Sequence, residues 1–193
     1  MDMIQDNVRG PQSRYTDAHI IVALDVLNER GQTGRKALAC RTGLGEGSIK
    51  GMLKVLKDWK WVEITHRGIT LTDFGRKNYL DFGIRFVKFH DDKYAVGTYQ
   101  QGAIVEGVAD KVTNGMAQRD DAVRNGASGA SVFLMSNGHV IFPKAWNLDE
   151  NDPLFADRVR ATGIREGDVL IVVGAESPDV ARVVAAAVGL DMK

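Results

Sequence analysis

Between residues 35 and 77 the chain carries ten Lys/Arg and four Asp/Glu. Lys50, Lys54, Lys57 and Lys60 recur through "SIKGMLKVLKDWK", Arg35, Lys36 and Arg41 precede them, and Arg67 follows inside "ITHRGIT". Ammonium and guanidinium groups gathered in this way can neutralise a polyanion and release its counterions. Lysine does so as a point charge and carries little sequence information. Arg, Asn and Gln discriminate base edges better. The whole chain gives no such bias, because its 25 Lys/Arg and 25 Asp/Glu cancel. Residues 1–80 hold 13 basic and 9 acidic side chains, and residues 81–193 hold 12 and 16. A basic segment joined to an acidic one suits an anion-binding module beside a second unit.

Other reactive residue types do not assemble into a recognisable site. His90-Asp91-Asp92 could be a metal pair or an acid/base group, but neighbours in a turn point in different directions, so a polar turn is the expected reading. Arg119-Asp120-Asp121 lies on an expected helix and reads as a solvated face with local ion pairs. "NGASGAS" (125–131) matches no phosphate-loop spacing and reads as a helix end followed by a strand start. Glu176-Ser177-Pro178 follows a strand and opens a helix, where Ser177 is expected to cap. Cys40, the sole cysteine, lies in a short helix whose apolar contacts are Leu38, Ala39 and Leu44 and is expected to be buried and inert. His19 and His139 stand alone, His66 lies in a turn as a minor contact, and Trp146 is expected to anchor a core or an interface. No nucleophile–base pair, paired metal ligands or cofactor fingerprint is found, so no catalytic residue, metal or cofactor is expected.

The elements that must position the cations are legible. Thr16 can cap a helix through "DAHIIVALDVLNERG", with Ile20, Ile21, Leu24 and Leu27 at helical spacing and Gly31 at its end. "GRKALACRTGL" is a short second helix. A third runs from about Glu46 to Trp59, its apolar stripe Ile49, Met52, Leu53 and Leu56. At about 100° per residue the face opposite that stripe carries Gly47, Lys50, Gly51, Lys54 and Asp58, with Ser48 to one side. Trp61–Thr65 and Ile69–Thr72 then form a hairpin with His66-Arg67-Gly68 at its turn. Taken alone, the lysine run is also what the solvated face of any amphipathic helix would show.

The domain boundary falls near residue 82. Beyond it come a strand-like run at 102–110, a helix at 114–127, and a hairpin in 130–143 whose Asn137-Gly138 is a type I′ signature. A helix with Asp152 near its cap, a buried strand at 167–175 and a last helix after Ser177-Pro178 complete the chain. The order from residue 102 is β-α-ββ-α-β, the split βαβ, ferredoxin-like plan.

Residues 16–80, by "RKALACRTGLGEGSIKGMLKVLKDWKWVEI", a short wing and "LTDFGRK", resemble a winged helix-turn-helix of the MarR-like type. That resemblance implies a third helix in the major groove and a wing tip at the backbone or the minor groove. "RDDAVRNGASGASVFL" and "EGDVLIVVGAESPDVARVV" resemble an archaeal family of uncharacterised proteins that joins a winged helix to a small α/β domain. The expectation is an α+β protein, with a DNA-binding domain at 1–82 and an effector-binding or dimerisation domain at 83–193. It would act as a transcriptional regulator and homodimer on double-stranded DNA, sensing a small-molecule effector. The expected contacts are Arg35, Lys36, Arg41, Ser48, Lys50, Lys54 and Arg67. The alternatives are a protein-interaction adaptor that binds no DNA and, more weakly, an enzyme with an accessory winged helix. One cysteine, no apolar leader and no membrane-length apolar run point to the cytoplasm.

Overall fold

The computed structural model describes residues 14–144 and 146–193. Two compact units divide the chain between Phe82 and Gly83. In the first, α1 (Asp17–Arg30), α2 (Arg35–Thr42) and α3 (Glu46–Asp58) precede an antiparallel pair, β1 (Val62–Thr65) and β2 (Gly68–Leu71), and α4 (Asp73–Asp81) follows.

Local chemistry explains these boundaries. The Thr16 backbone N–H, just ahead of α1, donates to His19 Nδ1 at 3.1 Å. Gly31, at φ +68°, ends the helix by donating to the Leu27 carbonyl at 3.0 Å. The run Ile20–Leu27 is buried on every side, not only along the expected stripe. It includes Asp25, whose carboxylate accepts from the Tyr79 hydroxyl at 2.6 Å, because a buried charge needs a partner. In α3 the expected stripe is the buried one: Ile49, Met52, Leu53 and Leu56. The loop after α1 joins the hairpin, since Thr33 and Ile69 exchange two backbone bonds of 2.9 Å.

The segment Leu71-Thr72-x-x-Gly75 is a structural lock. Thr72 Oγ1 donates to the Lys60 carbonyl at 2.7 Å and accepts from Gly75 N–H at 2.9 Å, so one hydroxyl caps α4 and holds the start of the hairpin. Gly75 must lack a side chain: a Cβ there would lie 2.0 Å from the Trp61 carbonyl oxygen.

The second unit is built on one antiparallel sheet in the order β3-β4-β8-β5-β6-β7. Its strands are β3 (Ile84–Val87), β4 (Tyr99–Val105), β5 (Gly129–Ser136), β6 (His139–Phe142), β7 (Trp146–Asn147) and β8 (Val169–Ala175). Its helices are α5 (Met116–Arg124), α6 (Leu148–Asn151), α7 (Pro153–Ala161) and α8 (Pro178–Asp191). Every residue of β8 is buried, as its continuous apolar run requires of a strand covered on both faces. Leu170 and Val172 turn to a core with Phe133, Phe155 and Val159, while α5 and α8 pack on the sheet at β5 and at β4 and β8. The positive φ of Asn137 (53°) and Gly138 (76°) shapes the β5–β6 turn.

The protein is therefore mixed α and β, and its sheet departs from the ferredoxin-like plan. In that plan the first and third strands of β-α-ββ-α-β lie at the centre. Here the last strand, β8, inserts between β4 and β5, and β3 and β7 extend the edges. α5 is shorter than expected, spanning Met116–Arg124; α7 starts where expected, Asp152 capping it by accepting from Phe155 N–H at 3.2 Å, and α6 is an additional short helix ahead of it. Trp146 sits on the edge strand β7 and is 51 % exposed, so it is not a core anchor.

Candidate functional site

A groove of about 830 Å³ lies between the outer face of α3 and the β1–β2 turn. Lys50, Lys54 and Lys57 of α3 line it, with Arg35 from the start of α2 and Arg67 from the turn. No Asp or Glu lines it among the described residues. None of these five cations makes an ion pair or a side-chain hydrogen bond among the described residues, and all five are exposed.

The folding of each wall sets this arrangement. Burial of the apolar stripe of α3 turns Gly47, Lys50, Gly51 and Lys54 outward together, at i, i+3, i+4 and i+7. Glycine inside a helix costs about 1 kcal/mol relative to alanine. Packing does not call for it here: a Cβ on Gly47 would meet nothing within 4 Å, and one on Gly51 would touch a Tyr15 ring carbon at an ordinary 3.6 Å. Across the groove, the pairing of Thr65 with Gly68 leaves His66 and Arg67 as a two-residue turn. Thr65 Oγ1 accepts from Arg67 N–H at 3.2 Å and donates to the Gly68 carbonyl at 3.3 Å, fixing the backbone that carries the Arg67 side chain. Gly68, at φ +144°, lies tightly on the loop after α1, where a Cβ would be 3.0 Å from Gln32 Cγ.

Of the expected contacts, the groove gathers Arg35, Lys50, Lys54 and Arg67. Lys36, Arg41 and the half-buried Ser48 are not among its lining residues. Lys36 is one residue past Arg35, and so about 100° further round the helix. Lys57 and His66 join the lining. The helical wheel places Asp58 after Lys54 on this face, but Asp58 is not among the lining residues and Lys57, one turn beyond Lys54, is.

The other candidates separate. Asp91 is buried, accepting from the Lys93 and Tyr94 N–H groups at 2.9 and 2.7 Å and pairing with Arg158 at 2.7 Å. Asp92 instead faces His90 at 3.2 Å in solvent. No group of three or more His, Cys, Asp or Glu that could hold a metal occurs among the described residues. Arg119 pairs with Asp120 at 2.9 Å. Ser177 holds the N-cap position of α8 without a side-chain capping bond. Cys40 is exposed, contrary to expectation, because α2 buries Leu38 and Thr42 and turns the residue between them outward. His19 is tied to Thr16, and its burial lowers its pKa.

His139, expected to stand alone, lies 3.0 Å from Asp149, which also accepts from Val140 N–H at 3.1 Å and pairs with Arg160 at 2.5 Å. The Arg160 guanidinium, aided by the Val140 N–H and His139, holds the Asp149 carboxyl down at about 2. Sequence spacing gave no sign of this cluster, because β6, α6 and α7 bring its members together.

Residues 96–192 match the family described as Domain of unknown function (DUF4443), a segment that spans half of the chain. The chain belongs to the DUF4443 family. The matched segment runs through β4 to α8, so the groove on α3 lies outside the part that defines DUF4443. The fold is similar to that of the hypothetical protein PH0730 from Pyrococcus horikoshii OT3, with a TM-score of 0.76, 24 % identity, and coverage of 93 % of this chain and 94 % of that one. At that identity the likeness concerns fold alone. No curated protein matches the chain. Among the described residues no helix is long and apolar enough to cross a membrane.

Proposed function

We propose that the chain is a DNA-binding transcriptional regulator whose first unit is a winged helix-turn-helix. The succession of three helices, a hairpin and a fourth helix supports that reading, as does the Thr33–Ile69 bridge that adds the loop after α1 to the hairpin. The observation that carries it is the groove: five cations from α2, α3 and the hairpin turn line one hollow that has no carboxylate among its described lining residues. In this reading α3 docks in the major groove, and Arg67 meets a phosphate or a narrow minor groove. The second unit dimerises or senses a small effector. A hollow of about 560 Å³ bordered by Val96, Arg119, Val123 and Gly129 is its candidate effector cavity. The working compartment is the cytoplasm, in keeping with a single cysteine.

The test is a gel shift of the full chain on duplex DNA at low salt, beside Lys54→Glu/Arg67→Glu. The reading expects a shift by the wild type and none by the variant. Absence of a wild-type shift, or equal shifts by both, overturns it.

A second reading is a protein-interaction adaptor. Ile64, 42 % exposed in the groove wall beside the bare Gly47–Gly51 face, favours it. A stoichiometric protein partner lost on Gly51→Glu, together with no binding to duplex, would establish that reading instead.

A further inference from the structure

The α3 groove carries charge but little that can tell one base from another. Its helical face offers Gly47, Lys50, Gly51, Lys54 and Lys57, with no Arg, Asn or Gln. Base recognition in the major groove is most discriminating from the planar fork of Arg or the amide of Asn or Gln; Lys reaches guanine O6 and N7 too, but as a flexible point charge it serves a phosphate as readily. The two glycines present only backbone: the Gly51 N–H is engaged along the axis, and the Gly47 N–H, in the first turn of α3, suits a phosphate better than a base edge. The two arginines, Arg35 and Arg67, flank this face from α2 and from the hairpin turn. Ser48, beside that face on α3, is half-buried and not among the lining residues, and Thr65 and His66 stand across the groove at the hairpin turn.

Resting on the DNA-binding reading above, we propose that this groove takes the sugar–phosphate backbone of duplex DNA and reads no bases, so that the chain binds duplexes irrespective of sequence. Each lysine then acts as a phosphate contact. Its loss weakens binding by the same factor on every duplex and lowers the salt slope by about one unit. Such a protein occupies DNA by charge, and selectivity among sites comes from the spacing of paired heads.

The experiment is a fluorescence-anisotropy titration of the full chain at one fixed salt concentration, on AT-rich, GC-rich and scrambled duplexes of about two helical turns. Lys50→Gln/Lys54→Gln is titrated in parallel; both side chains are exposed, so the fold is retained. The expected result is a spread of affinities below about tenfold across the duplexes and a uniform loss in the variant, well short of the ~10³-fold preference of specific recognition. A spread of about tenfold or more, or a variant that reorders the duplexes, overturns sequence-neutral binding while leaving the DNA reading standing. No binding to any duplex at low salt overturns both.

Discussion

Lys54 on α3 and Arg67 at the β1–β2 turn line one groove, although they belong to different elements. A row of lysines on an isolated helix would be an ordinary solvated face. The Arg67 turn and Arg35 make it a concave cationic surface, because a single polyanion can meet all three walls at once.

Membership of the groove therefore sorts the basic residues. Lys57→Glu is expected to weaken duplex binding about as much as Lys54→Glu, since both line the groove. Lys36→Glu and Arg41→Glu, exposed on α2 outside the lining, are expected to act only through longer-range screened charge, roughly severalfold less. Anisotropy at a salt concentration near 0.15 M, where the Debye length is about 8 Å, separates the two pairs. Equal losses from all four would mean that the groove has no special role.

Two helical glycines should respond in opposite ways to the same substitution. Gly75→Ala drives a Cβ to 2.0 Å from the Trp61 carbonyl oxygen, which is backbone and cannot turn aside. Its expected cost is about 3 kcal/mol, read as a shift in denaturation midpoint. Gly47→Ala meets open space on an exposed helix face and should stabilise by about 0.5–1 kcal/mol. A destabilised Gly47→Ala would show that this face is covered by something in the free protein.

Much of the first unit was legible because its signals are local. The stripe of α3, the end of α1 at Gly31 and the turn before Gly68 each need only a few neighbouring residues. The residues that the groove collects were partly legible for the same reason: helical spacing puts Lys50 and Lys54 on one face. Arg35 joins them by tertiary packing, which periodicity does not encode. In the second unit the alternation Ile84-Arg85-Phe86 could have marked β3, whereas the two-residue β7 leaves no pattern to find. The insertion of β8 between β4 and β5 is a long-range choice, and the order of elements along a chain does not determine it. Asp149 and His139 face each other for that same non-local reason.

The Asp149 cluster predicts an acid-sensitive contribution to stability. The carboxyl is held at about 2, below its ordinary 3.8, chiefly by Arg160. Its native pKa is depressed, so the contribution is present above the ordinary value and is lost as pH falls from 3.8 toward about 2. Asp149→Asn should cost about 1–2 kcal/mol at neutral pH, allowing for the partial exposure of Arg160, and the difference from wild type should shrink in strong acid. Chemical denaturation of both proteins at neutral and at strongly acidic pH gives the comparison. A difference that does not change with pH would mean that the ion pair is not its source.

Asp121 on α5 has the opposite sign. Burial raises its pKa, and the nearby Asp191 carboxyl of α8 raises it further. A raised native value favours folding at low pH, and that advantage is lost as pH rises through it. Asp121→Asn keeps an oxygen to accept from Asn125 Nδ2, now 3.3 Å from Asp121 Oδ1, and removes the charge opposite Asp191. It should raise stability near neutral pH by about 0.5–1 kcal/mol and do little in acid. A loss of stability at neutral pH would mean that the Arg124 contact at 3.8 Å outweighs the repulsion.

The salt dependence of duplex binding by the full chain tests the central claim most directly. If the five cations that line the α3 groove each neutralise one phosphate, log K should fall linearly with log salt at a slope of about −4.5, and Lys54→Gln/Arg67→Gln should bring that slope near −2.7. A slope near zero, or one that the double substitution leaves unchanged, would contradict a cationic groove closed on a polyanion.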